Sequence, residues 1–143
     1  MARTVEIHLE SRQTMDGQTQ RVEQHTEGLL ARTGEGYTLT YREGEETGLG
    51  GTRTTLKLLG DRAELTRTGE VSSAMVFCPG LPHRSLYQTP YGPIPMEATT
   101  RKLVSQMEET GGAVELEYDL VLGSGAPVQT LLRLTVKEKR SLS

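Results

Sequence analysis

Apolar and polar residues alternate along most of this chain with a period of two. Leu116, Tyr118 and Leu120 interleave with Glu115, Glu117 and Asp119, and Leu132, Leu134 and Val136 interleave with Arg133, Thr135 and Lys137. Such alternation marks a strand with one buried and one solvated face. No helical stripe longer than three turns competes with it. Turn signals recur at Asp16-Gly17, Gly34-Glu35-Gly36, Gly44 to Gly51, Gly60-Asp61, Pro79 to Pro82, Gly111-Gly112 and Gly123 to Pro127. Short alternating segments punctuated in this way predict an antiparallel meander.

Hairpin register tests the reading, because a correct register must bring the apolar residues of both strands to one face. A type I′ turn at Asp16-Gly17 sets Val5 against Gly28, Ile7 against Thr26 and Leu9 against Gln24, a face only partly apolar. A turn at Gly34-Glu35 sets Leu30 against Leu39, Arg32 against Tyr37 and Gly28 against Tyr41. With Gly60-Asp61 central, Leu58 meets Ala63 and Leu56 meets Leu65. The loop Gly123 to Pro127 sets Leu122 against Val128, Tyr118 against Leu132, Leu116 against Leu134 and Val114 against Val136. One segment changes parity: Ile94, Met96 and Ala98 are even-numbered, whereas Leu103 and Met107 are odd. A bulge at Thr100 to Lys102 reconciles them, and a short helix over Arg101 to Glu109 is the competing reading.

The expected fold is all-β, with about eight antiparallel strands in one sheet. Its apolar face is buried and its edges are removed by curling into an up-and-down barrel of the calycin or lipocalin kind. A two-sheet sandwich is the alternative. Composition agrees: Thr and Gly make up about a quarter of the chain. The 143 residues suit one domain, residues 1–143.

Sixteen Lys and Arg against 19 Asp and Glu give a net charge of −3 with no basic block, which argues against a nucleic-acid partner. The longest purely apolar run, Ala74 to Cys78, is far short of a bilayer span. Met1 to Ser11 lacks the apolar core of a signal peptide. A single cysteine, Cys78, excludes an internal disulfide framework and a cysteine zinc knuckle. These features predict a soluble cytoplasmic domain with neither a nucleic-acid nor a membrane partner.

The stretches Leu65-Thr66-Arg67-Thr68-Gly69, Tyr87-Gln88-Thr89-Pro90-Tyr91-Gly92, Thr99-Thr100-Arg101 and Glu115-Leu116-Glu117-Tyr118 together resemble the YwiB-like family of uncharacterised bacterial domains. The resemblance covers nearly the whole chain. It implies a calycin-type β-barrel related in shape to lipocalins and fatty-acid-binding proteins, and it carries no agreed activity, substrate or catalytic residue.

Candidate chemistry centres on Arg67. The register places it opposite Thr54 and on the face of Leu65, so it should point into the barrel. There its planar guanidinium could hold the carboxylate or phosphate of a ligand. The alternative is an internal partner, Glu43 or a tyrosine hydroxyl. Tyr37, Tyr41 and Tyr118 fall on the same inner face, either against a ligand or as core filling. Tyr87 and Tyr91 are expected to wall one end of the barrel.

His8 and His25 become cross-strand neighbours on the outer face, flanked by Glu6 with Glu27 and by Glu10 with Glu23. Such a group could bind zinc or nickel, although the expectation is a solvated strand face, with no metal and no cofactor. Cys78 and His83 lie close in sequence, yet no third group supports a nucleophile, and a buried structural thiol is expected. Ser72, Ser73 and Ser85 lack a nucleophile-elbow context. The glycines Gly48, Gly50 and Gly51 lack the residues of a phosphate loop. Glu115, Glu117 and Asp119 read as a solvated face.

With no nucleophile, base and orienting group assembled, an enzyme ranks below two other readings. The first is a non-catalytic barrel that binds a small, partly apolar molecule, in one form an anionic one, through Arg67 and the inward tyrosines. The second is a filled barrel acting through its surface or as a homodimer. Its contact region would be the five-proline loop Pro79 to Pro95, with Leu81, Leu86 and Tyr91 exposed.

Overall fold

A computed structural model describes residues 2–34, 36–43, 51–69 and 71–139. Every regular element in it is a strand: β1 Ala2–Met15, β2 Gln18–Thr33, β3 Gly36–Arg42, β4 Arg53–Leu59, β5 Arg62–Thr68, β6 Ser73–Phe77, β7 Pro82–Thr89, β8 Gly92–Glu108, β9 Gly111–Leu122 and β10 Val128–Glu138. They form one ten-stranded sheet in the order β6-β5-β4-β3-β2-β1-β10-β9-β8-β7, with each pairing antiparallel. The sheet curls into a nearly closed barrel, and the strand count is ten rather than about eight. The two added strands, β6 and β7, are a five-residue element and a segment read from its prolines as loop.

The apolar alternation explains why this sheet closes. Val5, Ile7 and Leu9 of β1, Leu39 and Tyr41 of β3, Leu56 and Leu58 of β4, and Leu132, Leu134 and Val136 of β10 all point inward and are buried. Phe77 and Tyr118 meet across this interior with ring centroids 4.6 Å apart. Gly28 makes a close approach possible, because a Cβ there would overlap the carbonyl oxygen of Thr40 and lie 2.8 Å from Ile7 Cδ1.

The first three expected hairpins keep their registers: Ile7 pairs with Thr26, Leu30 with Leu39, and Leu56 with Leu65. Asp16 and Gly17 both have positive φ, 52° and 78°, as a type I′ turn requires. The ladder shifts between Thr100 and Lys102, so β8 is a bulged strand and not a helix.

The last hairpin differs from expectation by two residues. Tyr118 pairs with Thr130, Leu116 with Leu132, and Val114 with Leu134. The β9–β10 ladder begins at Leu120 and Val128, beyond the Gly-to-Pro core, with Gly125 N–H donating to the Leu122 carbonyl at 3.0 Å inside the loop. A slip of two conserves every face, so the core is unaffected. The expected turn at Gly111-Gly112 lies instead at Glu109-Thr110, with both glycines already in β9.

Two junctions close the ring. β1 and β10 form a full ladder, with Ile7 opposite Val136 and Leu9 opposite Leu134. Backbone-to-backbone bonds join β6 and β7 only near their ends, by the Cys78–Leu81 bridge and by reciprocal bonds between Ser72 and Gln88 of 2.8 and 3.0 Å. Between these points the Val76 N–H donates to the ring nitrogen Nδ1 of His83 at 3.3 Å, a side chain taking the place of a ladder partner.

The segment Pro79 to Pro95 is therefore a turn and a hairpin rather than a loop. Its prolines are tolerated because Pro82 begins a strand, Pro90 lies in a turn, and Pro93 and Pro95 fall where β9 has run out.

Candidate functional site

The end of the barrel carrying the β1–β2, β7–β8 and β9–β10 turns opens into a cavity of about 300 Å³. Leu9, Met75, Ile94, Met96, Leu120 and Leu132 supply apolar walls, while Ser11, Gln13, Gln20, Glu43 and Arg67 supply polar ones. Odd-numbered positions of β5 face inward, and this parity carries Arg67 into the cavity directly opposite Thr54.

Arg67 faces Glu43, with Nε 3.9 Å from Oε1. The guanidinium is 17% exposed and the carboxylate 2%. At that separation the two groups are an ion pair without a hydrogen bond. Glu43 Oε1 instead accepts the Thr54 hydroxyl at 2.9 Å. Among the described residues, Arg67 Nε and Glu43 Oε2 are both buried without a hydrogen-bond partner. An unmet buried group costs about 1–3 kcal/mol, and more when charged, so this donor and acceptor are costly groups beside the cavity.

The structure brings only some of the candidate residues together. Tyr118 lines the cavity, and burial raises its phenol pKa while the nearby Arg67 charge opposes that rise. Tyr41 is buried beside the same cluster, its phenol pushed well above the usual range by burial and then by the Glu43 carboxylate. Tyr37 is elsewhere. It lines a separate hollow of about 120 Å³ with Arg3, Leu30, Arg32 and Glu109. Of the two tyrosines expected to wall one end, Tyr87 does so, whereas Tyr91 projects into solvent at 99% exposure because it occupies the turn itself.

Gln13, Gln20 and the pairing role of Thr54 were not singled out from sequence. Their signal is parity alone: Gln13 shares the inward face of Leu9, and Gln20 is its cross-strand partner. Gln24 is likewise inward and 2% exposed, with Nε2 donating to the Arg42 carbonyl at 3.2 Å.

Other candidates fall outside the cavity. Cys78 is a free, half-buried thiol, and His83 spends Nδ1 on the Val76 amide. Glu115 pairs with Lys102 at 3.1 Å, and Asp119 holds Arg101 through bonds of 2.8 to 3.0 Å, which makes the outer face of β8, β9 and β10 a solvated ion-pair ladder. The glycine segment at 44–50 lies outside the described residues, and Gly51 is in a turn. Among the described residues, no helix is long and apolar enough to cross a membrane.

On the outer wall, His8 and His25 stack with ring centroids 4.4 Å apart and planes inclined by 14°. Glu23 joins them, its Oε2 3.5 Å from His8 Nε2.

Fold and cavity together define an up-and-down β-barrel of the calycin-like kind, open at one end over a polar cluster. Residues 7–134 match the family described as "Domain of unknown function (DUF1934)", and the chain belongs to that family. The crystal structure of YwiB protein from Bacillus subtilis superposes with a TM-score of 0.87 at 21% identity, covering 97% of this chain and 94% of that one. At that identity the likeness establishes the fold, which is the YwiB fold the sequence resembles. No curated protein matches the chain.

Proposed function

We propose that this barrel is a non-catalytic binding domain for a small, partly apolar molecule that brings an acceptor, in its strongest form an anionic group, to Arg67. The observation that carries the reading is the buried, unpartnered Nε of Arg67 beside an apolar cavity of about 300 Å³. Small-molecule sites start at about this volume, with mostly apolar walls and a few convergent polar groups. Tyr118 and Tyr87 would pack against the molecule, Glu43 Oε2 would accept from a donor on it, and Tyr41 would support Glu43. On this reading the domain is cytoplasmic, a compartment in which a free thiol such as that of Cys78 stays reduced.

Native mass spectrometry of freshly purified protein, compared with its denatured mass, is the test. An extra small mass that disappears on denaturation, and that Arg67→Met protein no longer carries, is expected. Retention of the same mass by Arg67→Met would overturn the role of the guanidinium. A clean mass even after incubation with carboxylate and phosphate ester libraries would overturn the binding reading.

A second reading has its own observation. Leu81, Leu86 and Tyr91 are 61%, 51% and 99% exposed in and just beside β7, whose backbone bonds to β6 lie only near its ends. Self-association through this strand would cover them, and light scattering coupled to size exclusion would show a dimer that Leu86→Lys disperses.

A further inference from the structure

The outer face of the β1–β2 hairpin carries a charge pattern that works against itself. Glu6 lies directly opposite Glu27 and Glu10 opposite Glu23, with the His8–His25 pair between these two acidic pairs. Like charges directly opposite on a sheet destabilise it. Part of this repulsion is relieved: Lys139 Nζ sits 2.5 Å from Glu27, and Arg21 bonds both Glu10 and Glu23. What remains between the acidic pairs is two imidazoles and the second oxygen of Glu23.

We propose that His8, His25 and Glu23 form a binding site for a divalent transition-metal ion of the zinc type. One nitrogen from each ring and one Glu23 oxygen all lie within 4.8 Å of one another. Around a tetrahedral zinc with bonds of about 2.0–2.2 Å, such donors sit about 3.3 Å apart. The donors must therefore close by at most about 1.5 Å to reach zinc geometry, and they are free to do so. His8 and Glu23 are each 41% exposed, and only side-chain torsions need change.

The backbone holds what matters, since cross-strand partners keep their Cβ atoms about 4.5–5.5 Å apart. Arg21 orients the carboxylate by holding Oε1 and leaves Oε2 turned toward His8. Its positive charge is shared between Glu23 and Glu10, which it also bonds. An open depression of about 520 Å³, lined by His8, His25, Glu6, Glu27, Thr135 and Lys137 but not by Glu23, leaves the two rings open to solvent on that side. The donor set of two imidazoles and a carboxylate favours zinc, nickel or copper over magnesium or calcium.

The site is independent of the cavity, and the test uses zinc alone on tag-free protein. Calorimetry should give one ion per chain, and the imidazole resonances of His8 and His25 should shift while those of His83 stay in place. His8→Ala and His25→Ala should each weaken binding by more than about a hundredfold, beyond the loss typical of an outer ligand-orienting partner, with Glu23→Gln weakening it less. His8→Gln and His25→Gln, which retain a polar outer face, guard against loss of fold. Binding by the histidine variants as tight as by the parent protein would overturn the site, as would zinc shifts spread over the acidic surface rather than centred on the two rings.

Discussion

Tyr41 and Tyr118 carry the clearest titration consequence of the fold. Both phenols are raised by burial, so the folded protein keeps these protons at a pH where an unfolded chain, with tyrosine pKa about 10, gives them up. The sign follows: the stabilisation is fully present below about pH 10 and is lost as the pH climbs above it. Urea midpoints should therefore fall on the alkaline side, and part of the tyrosinate absorbance should appear only together with loss of the β signal. Replacing both residues by Phe should remove that part. Absorbance that develops smoothly while the fold persists would contradict the burial of both rings. At this scale the sequence was legible in direction and not in distance. Parity alone aimed Arg67, Tyr41 and Tyr118 inward, and it equally aimed Tyr37, which the barrel places away from the cavity. Which end of a strand faces the opening depends on where the other strands stop, and that is a property of the closed ring.

Among the elements, β9 depends on its first residue. Gly111 has φ of 137°, and a Cβ there would overlap the carbonyl oxygen of Val136 on β10. Gly111→Ala is expected to destabilise the protein by about 1–3 kcal/mol, the usual cost of holding another residue in glycine-only backbone space. Equilibrium denaturation measures it, with Gly60→Ala as a comparison, since Gly60 has no positive φ and an added Cβ there meets nothing within 4 Å. The hairpins with two-residue turns were readable because turn chemistry and apolar parity agree there. The β9–β10 hairpin was readable in its faces but not in its offset, since parity repeats every two residues and an internal turn in the loop absorbed the difference. β7 was hidden by its prolines, whose missing amides fall at a strand start, in a turn and beyond the end of β9.

On the scale of the whole molecule, the two junctions that complete the ring are unlike in chain distance. The β6–β7 junction joins residues three apart at Cys78 and Leu81, whereas β1 meets β10 across 135 residues at Arg3 and Glu138. Chain entropy makes the long closure costlier by about 3 kcal/mol on a logarithmic scaling with loop length. The other ladders grow from neighbouring strands and can form early, leaving the union of the first and last strands as the kinetic bottleneck. Refolding is then expected in the millisecond-to-second range of β-rich domains with non-local pairings. Leu134→Ala should slow refolding in stopped-flow measurements, because Leu134 faces Leu9 where the ring is sealed. An effect confined to the unfolding limb would place the sealing after the barrier. Until β1 and β10 meet, each presents a long free edge to other chains, so crowding during refolding should divert this barrel toward strand exchange between copies.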